Sequence, residues 1–164
     1  MPRDPNHRTR LLAMTTSNPR APASGWFEEK TFVFPICVYY EDTDLSGVVY
    51  HATYLRFMER GRSEFLRSAG LRHQGMLEAD EPLVWAVRRV SIDYLKPARV
   101  DEALEVHTKV RNLSGARMWL DQEIRRGDDI LTGADVEACV ITLRGNPRRI
   151  PRNVAEKLAE FMAI

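Results

Sequence analysis

Apolar residues recur at helical spacing in the stretch that follows Gly47. The apolar positions share one side of a helical wheel, namely Tyr54, Phe57, Met58, Phe65, Leu66 and Ala69. The opposite side is polar and carries Arg56, Arg60, Ser63 and Arg67. Because Gly70 is a natural C-terminal stop, the pattern predicts one long amphipathic helix that begins near Tyr50 and ends at Gly70.

Runs rich in β-branched and aromatic residues predict the strands. The first run is Lys30–Tyr40, and its Pro35 belongs at a sheet edge or a bulge. Four further strand candidates follow, namely Leu83–Leu95, Ala103–Asn112, Arg117–Arg125 and Ile130–Leu143. Short turns separate the last three, as in antiparallel hairpins. A final helix is expected at about Val154–Ala163, after Pro151.

The order of these elements predicts the fold class. Strands and helices do not alternate along the chain, so a doubly wound parallel sheet is disfavoured. The economical solution is an α+β domain in which a five-stranded antiparallel sheet wraps one long helix. Gly61 in mid-helix costs about 1 kcal/mol relative to alanine, which predicts a close approach to the sheet or to a partner. Such a sheet leaves apolar surface on a face or an edge, so we expect a homodimer or a dimer of dimers.

Composition divides the chain into an extension and a body. Residues 1–25 are rich in Pro, Ser, Thr and Arg and lack hydrophobic periodicity, so we expect a disordered N-terminal extension. Residues 26–164 are predicted to form a single domain. The whole chain has 164 residues, of which 44% are hydrophobic and 29% are charged, an ordinary globular profile.

Charge and cysteine content narrow the class of protein. The 24 basic and 23 acidic residues nearly cancel, which argues against a nucleic-acid partner. No apolar run approaches the roughly 20 residues that span a bilayer, so at most a peripheral membrane association is expected. Cys37 and Cys139 lie in apolar strand-like segments, which is typical of buried, reduced thiols in a cytoplasmic protein.

A carboxylate, a glycine turn and a helix start follow one another closely. Gly47 can adopt positive φ and turn the chain sharply, and the helix that begins near Tyr50 and His51 exposes unpaired N–H groups. Such an end can hold a developing oxyanion, while Asp44 could attack a carbonyl or take a proton from water. Asp44 could equally do no more than cap the turn or favour the helix dipole. The spacing permits an active site without requiring one.

Other kinds of site lack a signature. The sequence contains no phosphate-binding loop, dinucleotide fingerprint, zinc-protease motif or serine-hydrolase motif. His51 with Asp42 and Asp44 has no recognisable metal-ligand spacing. We therefore expect neither a metal nor a cofactor.

Two segments carry a resemblance to a known family. "YYEDTDLSGVVYHATYLRFMERGRSEFLR" resembles the signature of the YbgC-type acyl-CoA thioesterases, the Tol-Pal-associated branch of the 4-hydroxybenzoyl-CoA thioesterase family. "AVRRVSIDYLKPARVDEALEV" is similar to the family's second segment. The similarity runs from about Phe32 to Pro151. It implies the hotdog fold and the hydrolysis of an acyl-CoA thioester to free acid and CoA.

The resemblance also implies roles for individual residues. The family's catalytic carboxylate falls on Asp44, its oxyanion donor falls on the backbone N–H of His51 with Tyr50 beside it, and Gly47 keeps its place in the turn. The His51 imidazole belongs to the same motif and is expected to orient water or substrate. Other hotdog enzymes place a carboxylate on the helix, which makes Glu59 the competing acid. Gly61 stands where the family usually has alanine.

The remaining expectations concern substrate and partners. Lys96, Arg148 and Arg149 are candidate contacts for the CoA phosphates, because charge-assisted bonds suit such groups. Phe57 and Trp85 are candidates to line an acyl pocket. An acyl carrier protein is a possible further partner. One alternative to a thioesterase is another hotdog enzyme, such as a dehydratase acting on carrier-bound acyl groups, although the motif around Asp44 argues against it. The other is a non-catalytic protein of the same fold that binds acyl-CoA or an acyl carrier protein.

Overall fold

The computed structural model describes residues 25–162, so the predicted extension lies, except for Gly25, outside the described residues. The strands are β1 (Trp26–Glu28), β2 (Thr31–Cys37), β3 (Leu83–Tyr94), β4 (Ala103–Ser114), β5 (Arg117–Arg126) and β6 (Asp129–Thr142). The α-helices are α1 (His51–Ser68), α2 (His73–Leu77) and α3 (Arg152–Ala159), and a 3-10 turn spans Tyr40–Asp42.

All six strands form one antiparallel sheet in the order β1-β2-β4-β5-β6-β3. The hairpins β4-β5 and β5-β6 are the ones that the short turns predict. Since β1 pairs only with Thr31–Val33, the side of β2 away from β4 is a sheet edge at Pro35. Proline has no backbone N–H, and at this edge no neighbouring strand needs that donor. The predicted edge position of Pro35 is therefore confirmed.

Helix α1 packs across this sheet through the apolar side that its sequence predicts. Its buried residues are Thr53, Tyr54, Phe57, Met58, Gly61, Phe65 and Leu66. The five large side chains among them divide between two core clusters, one around Phe57 and Met58 and the other around Phe65 and Leu66. Each large side chain buried in this way contributes about 1.5–3 kcal/mol of transfer free energy. The helix is thereby fixed to the sheet along its whole length.

Gly61 is the point at which the helix comes closest to the sheet. A Cβ built on Gly61 would lie 2.7 Å from Cγ1 of Val106 and 3.4 Å from the hydroxyl of Thr108, both on β4. Real Cβ atoms essentially never approach another heavy atom within 3.0 Å. The predicted close approach to the sheet is therefore confirmed, and it explains the departure from alanine at this position.

Some expectations need correction. The sheet has six strands instead of five, because the three-residue β1 is too short to show a strand pattern. The short helix α2 and the 3-10 turn are likewise too brief for a periodic signal. Both cysteines are free, but Cys37 is exposed at the end of β2 and Cys139 is only half-buried in β6, so the expected burial of both was wrong. Among the described residues, no helix is long and apolar enough to cross a bilayer.

The contact at Gly61 predicts the effect of the family's alanine. Gly61→Ala gains up to about 1 kcal/mol in helix propensity but overpacks the helix–sheet contact, which typically costs about 1–3 kcal/mol. We expect a net loss of about 1 kcal/mol in the free energy of unfolding, measured by urea denaturation.

Gly75→Ala is the control, because a Cβ at Gly75 in α2 meets no atom within 4 Å. Combining Gly61→Ala with Val106→Ala removes the clashing methyl group, so the double variant should be more stable than the sum of the single losses predicts. Strict additivity would show that the Val106 contact is not the cause.

Candidate active site

A tight turn presents Asp44 just ahead of helix α1. Thr43 and Val49 form an antiparallel bridge, and between them the amide of Asp44 donates to Val48 O at 3.1 Å. The amide of Gly47 donates back to Asp44 O at 3.0 Å. Gly47 has φ 76°, the left-handed conformation that the sequence predicts for it. A Cβ there would meet no atom within 4 Å, so glycine is required for the conformation and not for space.

The carboxylate of Asp44 is held through one oxygen only. Oδ1 accepts the backbone amide of Ser46 at 2.8 Å and also the Ser46 hydroxyl. Within residues 25–162, Oδ2 accepts no hydrogen bond. The side-chain and backbone hydrogen bonds from Ser46 lower the pKa of Asp44, with a smaller contribution from the charge of His51. Asp44 is therefore an oriented, ionised carboxylate with one oxygen available.

The first turn of α1 begins without a side-chain cap. Its N-cap residue, Tyr50, makes no capping hydrogen bond, and the amide of Tyr50 donates instead to Asp42 O at 2.9 Å. The amide of Thr53 donates to Tyr50 O at 2.8 Å. Between them, the amides of His51 and Ala52 have no partner in the described part of the chain. These two N–H groups carry the partial positive charge of the helix start.

Asp44 and the helix start face the same cleft, whose volume is about 370 Å³. Its walls come from the turn, the start of α1 and the end of β3, and they consist of Asp44, Val48, Val49, Tyr50, His51, Tyr54, Tyr94, Leu95, Lys96 and Pro97. Asp44 is exposed, but it opens into this cleft beside His51. A larger cleft of about 560 Å³ on the sheet carries charged side chains of both signs and no helix start.

An aromatic cluster closes the side of this cleft formed by β3. The Tyr94 hydroxyl donates to His51 O at 2.9 Å, and the Tyr54 hydroxyl accepts the amide of Ala98 at 3.0 Å. The rings of Tyr54 and Tyr94 meet edge to face at 5.6 Å between centroids. The helical pattern predicts Tyr54 only as an apolar position of α1, and Tyr94 has no predicted role at the site. The sequence feature that points to Tyr94 is the second family-like segment, which contains this residue.

The other acids of the first motif have different surroundings. Asp42 is buried, and its Oδ2 accepts the amide of Tyr39 at 2.8 Å while its carbonyl accepts the amide of Tyr50. Asp42 thus ties the 3-10 turn to the helix start. Glu41 is exposed. Of these three acids, only Asp44 lines the cleft.

Glu59 and Phe57 lie outside this cleft. Glu59 is eight residues along α1 from His51, about 12 Å along the helix axis, and its carboxylate binds Arg62 at 2.8 Å and Ser63 at 3.1 Å. Phe57 is fully buried in the core. Trp85 lies near the beginning of β3, opposite Val140, and is also absent from the cleft walls.

The three basic candidates lie in two places. Lys96 lines the cleft and forms an ion pair with Asp129. Arg148 binds Glu81 at 2.8 Å, just before β3, and Arg149 precedes Ile150, whose amide donates to Gly115 O. Tyr94 marks the other end of β3, roughly 35 Å from its start. Within one chain, Arg148 and Arg149 are therefore not brought to Asp44.

The described residues contain no group of three or more His, Cys, Asp or Glu side chains placed to hold a metal ion. The cleft instead combines one anionic side chain with two free backbone donors and apolar walls. This arrangement suits an uncharged carbonyl group, since the amides can hold its oxygen while the carboxylate approaches its carbon.

Comparison with known proteins identifies the family. The family model described as "Thioesterase superfamily" matches residues 46–132, which is more than half of the chain. The chain belongs to the thioesterase superfamily. The expectation of a thioester hydrolase is thereby confirmed.

Relatives and solved structures agree with this assignment. The chain is 42% identical to "Acyl-CoA thioesterase YbgC" of Haemophilus influenzae over 75% of its length and 90% of that protein. It is 38% identical to "Acyl-CoA thioester hydrolase YbgC" of Escherichia coli O157:H7, over 79% of the chain and 95% of that protein. A crystal structure of a probable thioesterase from Bartonella henselae has 43% identity and a TM-score of 0.72, over 74% of this chain and 99% of that one. The resemblance to YbgC-type thioesterases and the hotdog fold are confirmed.

The hydrogen bonds to Asp44 predict a shift in the pH profile of a thioesterase reaction. If Asp44 reacts as a carboxylate, as the family resemblance implies, its lowered pKa should extend activity to lower pH, because the ionised form persists there. Ser46→Ala removes the hydroxyl donor and raises the pKa of Asp44. The acidic limb of kcat/KM should therefore move to higher pH.

Ser114→Ala, at the end of β4, is the matched control and should leave the acidic limb in place. An unmoved acidic limb in Ser46→Ala would show that the Ser46 hydroxyl does not control the ionisation of Asp44.

Proposed function

We propose that this protein is an acyl-CoA thioesterase that uses Asp44 and the start of α1. The observation that carries the proposal is the shared cleft, which is lined both by Asp44 and by the start of α1, where two amides are unpaired within residues 25–162. The YbgC relatives, which are named for acyl-CoA thioester hydrolysis, support acyl-CoA as the substrate.

In the proposed reaction, the amide of His51 donates to the thioester oxygen. As the carbonyl carbon becomes tetrahedral, negative charge builds on that oxygen, and a preorganised backbone donor stabilises it. The carbon–sulfur bond then breaks, and CoA leaves as a thiolate that takes a proton from water. The overall products are the free acid and CoA, with one water consumed.

Asp44 can act by two routes. As a nucleophile, its free Oδ2 attacks the carbonyl carbon and forms a mixed anhydride that water hydrolyses. As a general base, it takes a proton from the attacking water. A single turnover in ¹⁸O-labelled water detects the anhydride route, because water that attacks the Asp44 carbonyl of the anhydride leaves the label on Asp44, which general-base catalysis never does.

The other cleft residues take supporting roles in this proposal. The exposed ring of Tyr50 and the imidazole of His51, 4.4 Å apart between centroids, border the approach to Asp44 and orient the substrate or water. Gly47 holds the turn that aims Asp44, and Lys96 contacts a CoA phosphate. Glu59 stays the competing acid, and Glu59→Gln compares it directly with Asp44.

We further propose a homodimer in which two copies of β3 pair at the sheet edge. Strand β3 is the last strand of the sheet, 12 residues long, and its Val87 is 46% exposed. In a two-fold antiparallel pair, the Leu83 end of one copy lies beside the Tyr94 end of the other. The partner's Arg148 and the partner's Arg149 would then approach this cleft. A dimer of dimers stays a prediction, as do the cytoplasmic location, the Tol-Pal association and the acyl carrier protein partner.

Replacing Asp44 tests the central proposal. Asp44→Asn keeps the shape of the side chain but removes its charge, so we expect turnover to fall at least about 10³-fold while acyl-CoA still binds. The measurement is CoA thiol release over a panel of acyl-CoA esters. Asp80→Asn, an exposed isosteric change near the start of β3, is the control. Near-normal turnover of Asp44→Asn would reject the assignment.

The same panel decides between the proposal and its alternative. A non-catalytic protein that binds acyl-CoA or an acyl carrier protein would bind the esters without releasing thiol. If the unaltered protein releases no thiol from any ester, the alternative replaces the thioesterase proposal.

Charge reversal tests the proposed dimer contact with CoA. Arg148→Glu combined with Arg149→Glu should raise KM about threefold to tenfold, with little change in kcat, because exposed charge pairs each contribute up to about 1 kcal/mol. Lys30→Glu with Lys157→Glu changes the net charge equally and is the control. An unchanged KM in a dimer confirmed by sedimentation would remove both arginines from the substrate site.

A further inference from the structure

The Tyr94 hydroxyl makes an unusual contact with the first turn of α1. Tyr94 is the last residue of β3, and its hydroxyl donates to His51 O at 2.9 Å. Its ring is held from two sides, edge to face with the ring of His51 at 6.4 Å and with that of Tyr54 at 5.6 Å. The hydroxyl is therefore directed at the helix start by packing as well as by its hydrogen bond.

The bonded carbonyl belongs to a peptide whose other end is free. His51 O and the amide of Ala52 are the two poles of the same peptide unit. Neighbouring amides are occupied, since Tyr50 N donates to Asp42 O and Thr53 N donates to Tyr50 O. Within residues 25–162, the amides of His51 and Ala52 have no acceptor. Helix geometry directs both toward the N-terminal end of α1, where the cleft lies.

A hydrogen bond donated to the His51 carbonyl also affects the Ala52 amide at the other end of the same peptide. Hydrogen bonds in a chain polarise one another, by about 10–30% per bond, so the Tyr94 hydroxyl makes the Ala52 N–H a stronger donor. Tyr94 is 46% exposed, and its partial burial raises the pKa of a hydroxyl that is protonated, and so able to donate, at neutral pH in any case. The same bond fixes the plane of the peptide relative to β3.

We infer that Tyr94 is a positioning residue, whose hydroxyl orients and polarises the His51–Ala52 peptide so that the amides of His51 and Ala52 hold the thioester oxygen together. This inference rests on the proposed function and extends it from one oxyanion donor to two. Tyr94 acts through the peptide and need not touch the substrate.

Tyr94→Phe isolates the hydroxyl, because the ring and its edge-to-face contacts remain. The aligned and polarised donor matters most when charge develops on the oxygen, so kcat should fall about fivefold to twentyfold while KM changes less than about twofold. In an Asp44→Asn background, Tyr94→Phe should leave the Kd of the fastest-hydrolysed ester unchanged, measured by titration calorimetry.

Two controls separate positioning from loss of stability. Val154→Ala removes buried methyl groups from α3, far from the cleft, and should lower the unfolding midpoint at least as much as Tyr94→Phe without lowering kcat. Tyr40→Phe makes the same chemical change on an exposed tyrosine and should have no effect.

The outcomes distinguish this inference from the proposed function. If the unaltered enzyme turns over thioesters and Tyr94→Phe keeps full kcat, the hydroxyl only anchors the helix and the inference is wrong. The same holds if the loss is entirely in KM. If the unaltered protein hydrolyses no thioester, the proposed function fails and this inference fails with it.

Discussion

The position of the first turn of α1 is the constraint on which the candidate site depends. Two backbone hydrogen bonds fix the chain just before the helix, from Val49 N to Ala98 O at 2.8 Å and from Tyr50 N to Asp42 O at 2.9 Å. Because the first amides of an α-helix have no acceptor within the helix, the next two amides, of His51 and Ala52, are left free within residues 25–162. The turn that carries Asp44 is joined to the same segment by the Thr43–Val49 bridge. Carboxylate and donors are thus held by one short, continuous piece of backbone.

That short piece is also why much of the site could be predicted from the sequence. Asp44, Gly47 and His51 lie within eight residues, so turn chemistry and helix periodicity bring them together without knowledge of the tertiary fold. The long helix and its apolar side were predictable for the same reason. The close approach at Gly61 followed from the cost of glycine in a helix, although the sequence could not name Val106 as the neighbour.

Features that depend on distant parts of the chain were harder to predict. Tyr94 reaches His51 from 43 residues away, and only the sheet order places the end of β3 at the helix start. Basic side chains such as Arg148 were candidates for phosphate contacts because a sequence shows the charge of a residue but not its position in the fold. Only the strand register shows that they lie near the Leu83 end of β3, away from the cleft at its Tyr94 end. Strand β1 could not be predicted, because three residues are too few to show the alternation of a strand.

The hydrogen bonds that hold Asp44 have a chemical consequence. A carboxylate that is stabilised as an anion has a lower affinity for a proton, so it is a weaker Brønsted base toward water. In both proposed routes, the Ser46 contacts keep Asp44 in its ionised form to lower pH, at the expense of some of its basicity and intrinsic nucleophilicity.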